Sequence, residues 1–145
     1  MNLNPDQWKR LQATKAKRKA PKHDESALQT ACVRWFRLSY PRLALLLFSI
    51  PNGAKLHGDA VARAKQWQRL VGEGAVAGAA DLFLAIPSGD YSGLFIEMKT
   101  KKGKQSDTQK AFEAAVVENG FGYAVPRSFD EFEKVVTQYL QNGTY

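Results

Sequence analysis

Apolar residues between positions 24 and 39 recur at the spacing of an α-helix, so this segment is predicted to be a helix with one buried stripe. The stripe consists of Leu28, Cys32, Trp35 and Leu38. Asp24 is a suitable N-cap, and Pro41 ends the helix because a proline disfavours helical backbone in the residue before it. The continuous apolar run from Leu43 to Ile50 then predicts a strand buried on both faces.

Two further apolar runs, residues 80–86 and 94–99, flank a segment rich in turn-forming residues. The segment between them, 87–93, contains Pro, Ser, Gly and Asp, which are typical of tight turns. We therefore predict an antiparallel hairpin centred near Asp90.

Other helices and one short strand complete the pattern. Residues 60–71 have helical periodicity, and 121–125 are apolar enough for a short strand. Ser106 with Gln109, and Ser128 with Glu131, have the capping-box spacing that opens a helix. The resulting order predicts an α/β fold, in which a mixed central β-sheet of about four strands is flanked by helices in a single domain.

Three charged residues stand at one end of the predicted hairpin. Asp81 opens the first strand, while Glu97 and Lys99 end the second and point to one face because they are two residues apart. The hairpin register places Asp81 opposite the segment 97–99. Such charges are costly beside apolar strands unless they pair or hold an ion. Two interpretations stay open: a metal site with a lysine beside it, or two strand-end acids in ion pairs with Lys99.

Glu25 and Gln29 share one face of the first helix because they are four residues apart. Glu25 lies at the edge of the buried stripe, where it is either a surface charge near the helix start or a ligand that reaches inwards. Gln109 has two equally good roles, as the partner of the Ser106 cap or as a group that orients Lys99 or a water molecule.

The positive charge of the chain is concentrated at its start. The net charge is +7, and residues 1–24 hold seven Lys or Arg against two Asp. We predict a basic, flexible N-terminal arm over residues 1–23 and a polyanionic partner, namely nucleic acid. Lys101, Lys102 and Lys104 beside the charged hairpin end, and Arg63 on the second helix, are candidate phosphate contacts or solvated surface charges.

The composition excludes several other classes. One cysteine cannot form an internal disulfide or a cysteine-rich zinc site. No apolar run is long enough to cross a bilayer, and no secretory signal opens the chain. We therefore expect an intracellular, cytoplasmic protein without a membrane partner.

The full set of polar positions resembles the PD-(D/E)XK nucleases, and among them the VRR-NUC domain of virus-type replication and repair nucleases. The matching residues are Asp81, Glu97-Met98-Lys99, Glu25 with Gln29, Pro51-Asn52-Gly53, Gly78, and Ser106 with Gln109. The resemblance covers residues 24 to about 135. It departs from the family pattern at Ala80, where the family usually has proline.

The resemblance implies a restriction-endonuclease-like nuclease domain over residues 24–141, acting as a homodimer on branched DNA such as Holliday junctions. It implies Mg²⁺, with Mn²⁺ able to substitute, and no small-molecule cofactor. The implied metal ligands are Glu25, Asp81, Glu97 and the carbonyl of Met98. The implied catalytic residues are Asp81, Glu97, Lys99 and Gln109. Candidate DNA contacts are Gln29 and Asn52 among the matching residues, and Arg63, Lys101, Lys102 and Lys104 from their charge and position.

Two other functions compete with a structure-selective endonuclease. One is a basic nucleic-acid-binding module without catalysis, which the intact set of Asp, Glu and Lys disfavours. The other is a nuclease subunit of a restriction system, although a chain of 145 residues shows no separate sequence-reading domain. RNA also stays open as a substrate.

Overall fold

The central element is a four-stranded mixed β-sheet. The computed structural model describes residues 24–51 and 56–145, and the strands are β1 (Leu47–Ser49), β2 (Leu82–Leu84), β3 (Leu94–Ile96) and β4 (Gly122–Ala124). They lie in the order β1-β2-β3-β4, with β1–β2 and β2–β3 antiparallel and β3–β4 parallel. The predicted mixed sheet and hairpin are therefore confirmed.

Within residues 24–51 and 56–145, four α-helices flank the sheet: α1 (Asp24–Ser39), α2 (Ala60–Gly72), α3 (Asp107–Glu118) and α4 (Phe129–Asn142). Both capping serines predicted from the sequence open helices, since Ser106 Oγ accepts from Gln109 N and Ser128 Oγ accepts from Glu131 N. Asp59 is the N-cap of α2, and its side chain accepts from Ala62 N. Each cap satisfies a backbone N–H group that has no partner within its helix.

The two faces of the sheet bury different kinds of residue. Leu82, Leu84 and Ile96 face α1 and α4 and belong to the main aliphatic core. On the other face, the ring of Phe95 packs edge-on against Phe112 of α3, with ring centroids 5.2 Å apart. The alternation of side chains along each strand produces this division.

The predicted strand from Leu43 to Ile50 is wrong in its length and burial. Residues Pro41–Leu46 form a 3₁₀ helix, and only Leu47–Ser49 are a strand. Leu45 is 91% exposed and Phe48 is 46% exposed. Pro41 suits the start of a 3₁₀ helix, and β1 is an edge strand with one neighbour, so neither feature favours burial on both faces.

The predicted buried stripe of α1 is also partly wrong. Leu38 is 73% exposed, and Phe36, which was not assigned to the stripe, is fully buried with Cys32. Cys32 and Phe36 are four residues apart, so the stripe that meets the sheet follows the i, i+4 row. The predicted N-terminal arm, residues 1–23, and Asn52 lie outside the described residues. In the described part of the chain no helix is both long enough and apolar enough to span a bilayer.

Candidate active site

The hairpin register brings the predicted charged residues together. Leu82 pairs with Ile96 and Leu84 with Leu94, so the next residues outwards, Asp81 and Glu97, lie side by side. The backbone N–H of Met98 donates to Asp81 Oδ2 at 2.8 Å. This contact confirms the predicted placement of Asp81 opposite the segment 97–99.

Glu97 lies at the bottom of this cluster and is only 1% exposed. Its Oε1 accepts from Lys99 Nζ at 2.8 Å and from Gln109 Nε2 at 2.5 Å. Its Oε2 is buried and has no hydrogen-bond partner among the described residues. Burial raises the pKa of Glu97 to about 7, against the lowering effect of the Lys99 hydrogen bond, and the charge of Asp81 adds to the rise.

Asp81 and Lys99 carry the other two charges of the cluster. Burial raises the pKa of Asp81, and its hydrogen bond from Met98 N opposes that rise. For Lys99, burial lowers the pKa, but the hydrogen bond and charge of Glu97 outweigh burial and the net shift is upwards. Lys99 therefore stays a cation at neutral pH, fixed beside a carboxylate that resists ionisation.

Gln109 fulfils its predicted capping role and also contacts the cluster. Its Oε1 accepts from the backbone N–H of Ser106 at 2.8 Å, which leaves its amide nitrogen to donate to Glu97. The capping box thus fixes which end of the amide faces the carboxylate. Its amide donates to Glu97 and not to Lys99, which was one of the two groups, with a water molecule, that the sequence suggested it would orient.

Gly78 explains how α3 comes so close to the strands. Its φ is +83°, and an added Cβ would lie 2.3 Å from the backbone carbon of Thr108 and 2.6 Å from Gln109 N. Only glycine fits this approach, because any side chain would push the first turn of α3 away. The loop before Asp81 therefore packs directly on the turn that carries Gln109.

Glu25 lies at the rim of the cluster, partly buried. Its Oε1 accepts from Thr100 N at 3.4 Å, and its charge raises the pKa values of Asp81 and Glu97. Within residues 24–51 and 56–145 no three His, Cys, Asp or Glu side chains are grouped so that they could hold a metal ion together. The predicted role of Glu25 as a ligand therefore stays a prediction.

The donor set nevertheless fits a hard divalent cation. The carboxylates of Asp81 and Glu97 meet at the hairpin end, and carboxylate oxygens are ligands that Mg²⁺ and Mn²⁺ prefer. The described residues leave one buried oxygen of Glu97 unsatisfied, as expected of an atom that another group completes. The ion pair between Glu97 and Lys99, the alternative interpretation of these charges, is also present and uses only the other oxygen.

The turn of residues 100–104 is held by a residue that the sequence did not single out. Arg127 Nη1 donates to the carbonyls of Thr100 and Gly103, at 3.0 and 2.5 Å. Lys101, Lys102 and Lys104 stay exposed on this turn beside the cluster. No sequence motif marks an arginine in this position after a strand, so only the structure reveals these two hydrogen bonds.

Gln29 and Arg63, two predicted DNA contacts, lie on different elements. Gln29 lines a groove between α1 and β1. Arg63 is exposed on α2, where its Nη1 donates to the carbonyl of Gly58 at 3.3 Å. In the described segments no hydrogen bond or ion pair links Arg63 to the carboxylates.

A family model of the VRR-NUC domain matches residues 23–130. The chain belongs to the VRR-NUC family. The match to this nuclease family extends from α1 to the start of α4, and this segment contains every residue of the charged cluster.

A solved structure of a VRR_NUC domain protein has the same fold as this VRR-NUC chain. The two superpose with a TM-score of 0.65 at 24% sequence identity, over 81% of this chain and 88% of the other. No curated protein matches the chain.

Proposed function

We propose that this VRR-NUC protein is a divalent-metal-dependent endodeoxyribonuclease that cuts branched DNA, such as Holliday junctions, in recombination, repair or phage replication. One observation supports this function above all. Glu97 is a fully buried carboxylate beside Asp81 and a cationic lysine, and one of its oxygens has no partner within the described residues. A purely structural acid is not expected to be left in this state.

Asp81, Glu97 and the carbonyl of Met98 are the groups that would hold the ion. A bound Mg²⁺ or Mn²⁺ ion supplies Lewis acidity and makes a water molecule nucleophilic at neutral pH. Lys99 places a positive charge at the cluster, where it can offset charge that develops on the scissile phosphate. Gln109 fixes the orientation of the Glu97 carboxylate through its hydrogen bond.

The substrate assignment rests on charge and on family. Acidic side chains alone would repel a phosphate, and the exposed lysines of the 100–104 turn supply cations directly beside them. Branched DNA and a homodimeric state are proposed from the resemblance to standalone VRR-NUC nucleases.

The test is incubation of the purified protein with labelled linear, flapped and four-way-junction DNA in Mg²⁺, Mn²⁺ or EDTA. We expect cleavage of the junction in either metal and none in EDTA. Binding without cleavage in every metal would contradict the enzyme and favour a non-catalytic binding module. Equal cleavage of all three DNAs would refute the selectivity for branches and leave a general nuclease.

A further inference from the structure

A groove lies between α1 and the edge strand β1. It encloses about 430 Å³. Its floor is apolar, formed by Val33, Leu47 and Leu82, and its sides carry polar and cationic groups, including Arg34 and Arg37. Such a surface, with an apolar floor and a cationic rim, suits a ligand that has both apolar groups and anionic groups.

One end of the groove lies close to the chain segments that carry the charged cluster. Leu82 of the floor directly follows Asp81, and the N–H of Ile50, next to the end of β1, donates to the Asp81 carbonyl at 2.8 Å. On the other side, Gln29 of the groove lies one helical turn after Glu25. A chain-like ligand bound at the carboxylates is therefore close enough to extend into the groove.

The cations of the groove have no acidic partner in the part of the chain that the structure describes. Arg34 and Arg37 are exposed and three residues apart on α1, so their Cβ atoms are about 5–6 Å apart. Among the described residues neither arginine forms an ion pair, and no Asp or Glu lines the groove. Two neighbouring uncompensated guanidinium groups favour a ligand with closely spaced anionic groups.

We infer that this groove binds one strand of the nucleic-acid substrate beyond the scissile phosphate, with Arg34 and Arg37 at successive phosphates. The inference deepens, and rests on, the proposed nuclease function. Sugars and bases lie over the apolar floor, so the contacts position the strand without reading its sequence.

Charge disfavours the other available occupants. The N-terminal residues 1–24 hold seven Lys or Arg, so this segment would be repelled by two arginines. A second copy of the chain carries the same surplus of positive charge, +7. A phosphate backbone carries the opposite charge at regular intervals.

The test measures binding of a labelled single-stranded oligonucleotide, longer than the groove, in Ca²⁺ over a series of salt concentrations. Arg34→Ala and Arg37→Ala should each weaken binding about fivefold and reduce the slope of log affinity against log salt by about 0.7, the value for one lost phosphate contact to a single strand. Lys134→Ala removes the same charge from an exposed site on α4 and should leave the slope unchanged. Arg34→Lys, which keeps the charge, should restore the slope.

Slopes for both arginine variants equal to that of Lys134→Ala would overturn the groove as a strand path. If the groove instead binds a second copy of the chain, Leu38→Asp at its rim should change the sedimentation coefficient. The arginine variants should then keep the wild-type salt slope. That result also overturns the inference. Cleavage by the wild type in Mg²⁺ is measured separately. Failure of the nuclease function shows as absence of cleavage, whereas failure of the groove inference shows as unchanged salt slopes in a protein that still cleaves.

Discussion

The two ends of the β2–β3 hairpin bury polar groups in opposite ways. At the turn end the buried contacts join neutral groups: Ser88 and Tyr91 exchange two backbone hydrogen bonds, and Ser88 Oγ donates to the Tyr139 carbonyl. The Tyr139 hydroxyl, fully buried, donates to the Ile86 carbonyl at 2.7 Å. These bonds fix how α4 lies on the hairpin.

At the other end the buried groups are charged. Glu97 is as deeply buried as Tyr139, yet its carboxylate shares one oxygen between Lys99 and Gln109, and the other meets no donor in the described chain. Neutral paired groups stabilise a fold, whereas an incompletely paired buried charge destabilises it. The contrast indicates that the turn end serves stability and that the charged end is retained for chemistry.

The largest expected effect is on cleavage at the charged end. Glu97→Gln keeps the shape of the side chain but loses the negative charge, and Lys99→Ala removes the cation. Each should reduce the cleavage rate in Mg²⁺ by about 100-fold or more, because groups that stabilise developing charge carry effects of this size. Binding of junction DNA in Ca²⁺ should persist in both variants.

Glu133→Gln is the matched control for this experiment, since Glu133 is an exposed acid on α4. It should cleave at the wild-type rate. Undiminished cleavage by Glu97→Gln or Lys99→Ala would remove both residues from the mechanism.

The second largest expected effect is a pH dependence of the free energy of unfolding, caused by Glu97 at the charged end. The pKa of Glu97 is about 7 in the folded protein against an ordinary value of 4.5. Between these values the folded state holds a proton that the unfolded state has lost, so stability falls as pH rises through this window and levels off above it. The expected loss is on the order of a few kcal/mol.

Urea unfolding in EDTA between about pH 5 and pH 8 measures this slope. Glu97→Gln should flatten it, whereas Tyr139→Phe should shift the whole curve and keep its slope. A wild-type curve that rises with pH across the window would contradict the account of Glu97 as a carboxylate destabilised by burial.

At the turn end we expect a loss of stability without a loss of activity. Tyr139→Phe leaves the Ile86 carbonyl without its donor and should lower the free energy of unfolding by about 1–2 kcal/mol. The cleavage rate, measured well below the melting temperature, should not change. A parallel fall in cleavage rate would mean that the two ends are coupled through the hairpin.

The smallest effect compares the two capping serines. Ser106→Ala and Ser128→Ala each remove an N-cap and should each cost about 1 kcal/mol in thermal or urea unfolding. Only Ser106→Ala should also slow cleavage, severalfold, because α3 carries Gln109 to Glu97. Equal rates for the two variants would show that the first turn of α3 does not tune the carboxylate.

The charged end was largely predictable because its geometry follows from local rules. Asp81 and Glu97 are placed by the two-residue alternation of an antiparallel hairpin around a turn of recognisable composition. Gln109 is placed by a capping box, which needs only the spacing from Ser106. These features depend on neighbours in sequence or across one strand pair.

The errors arose where distant contacts decide the outcome. The apolar run from Leu43 to Ile50 has no residue that distinguishes a strand from a 3₁₀ helix followed by a short edge strand, and its position in the sheet decides burial. Arg127 holds a turn 24 residues before it, at Gly103, which no local pattern indicates. The close fit of Gly78 against Thr108 likewise depends on how α3 packs.

Titration of the protein with Mn²⁺ at about pH 6, where Glu97 still holds most of its proton, and without DNA, tests the central claim most directly. We predict that the wild type and the turn-end variant Tyr139→Phe bind the ion and release protons, because a ligated carboxylate must be ionised, and that Glu97→Gln loses this binding. Equal Mn²⁺ affinity and proton release in the wild type and Glu97→Gln would contradict the assignment of the hairpin end as the metal centre.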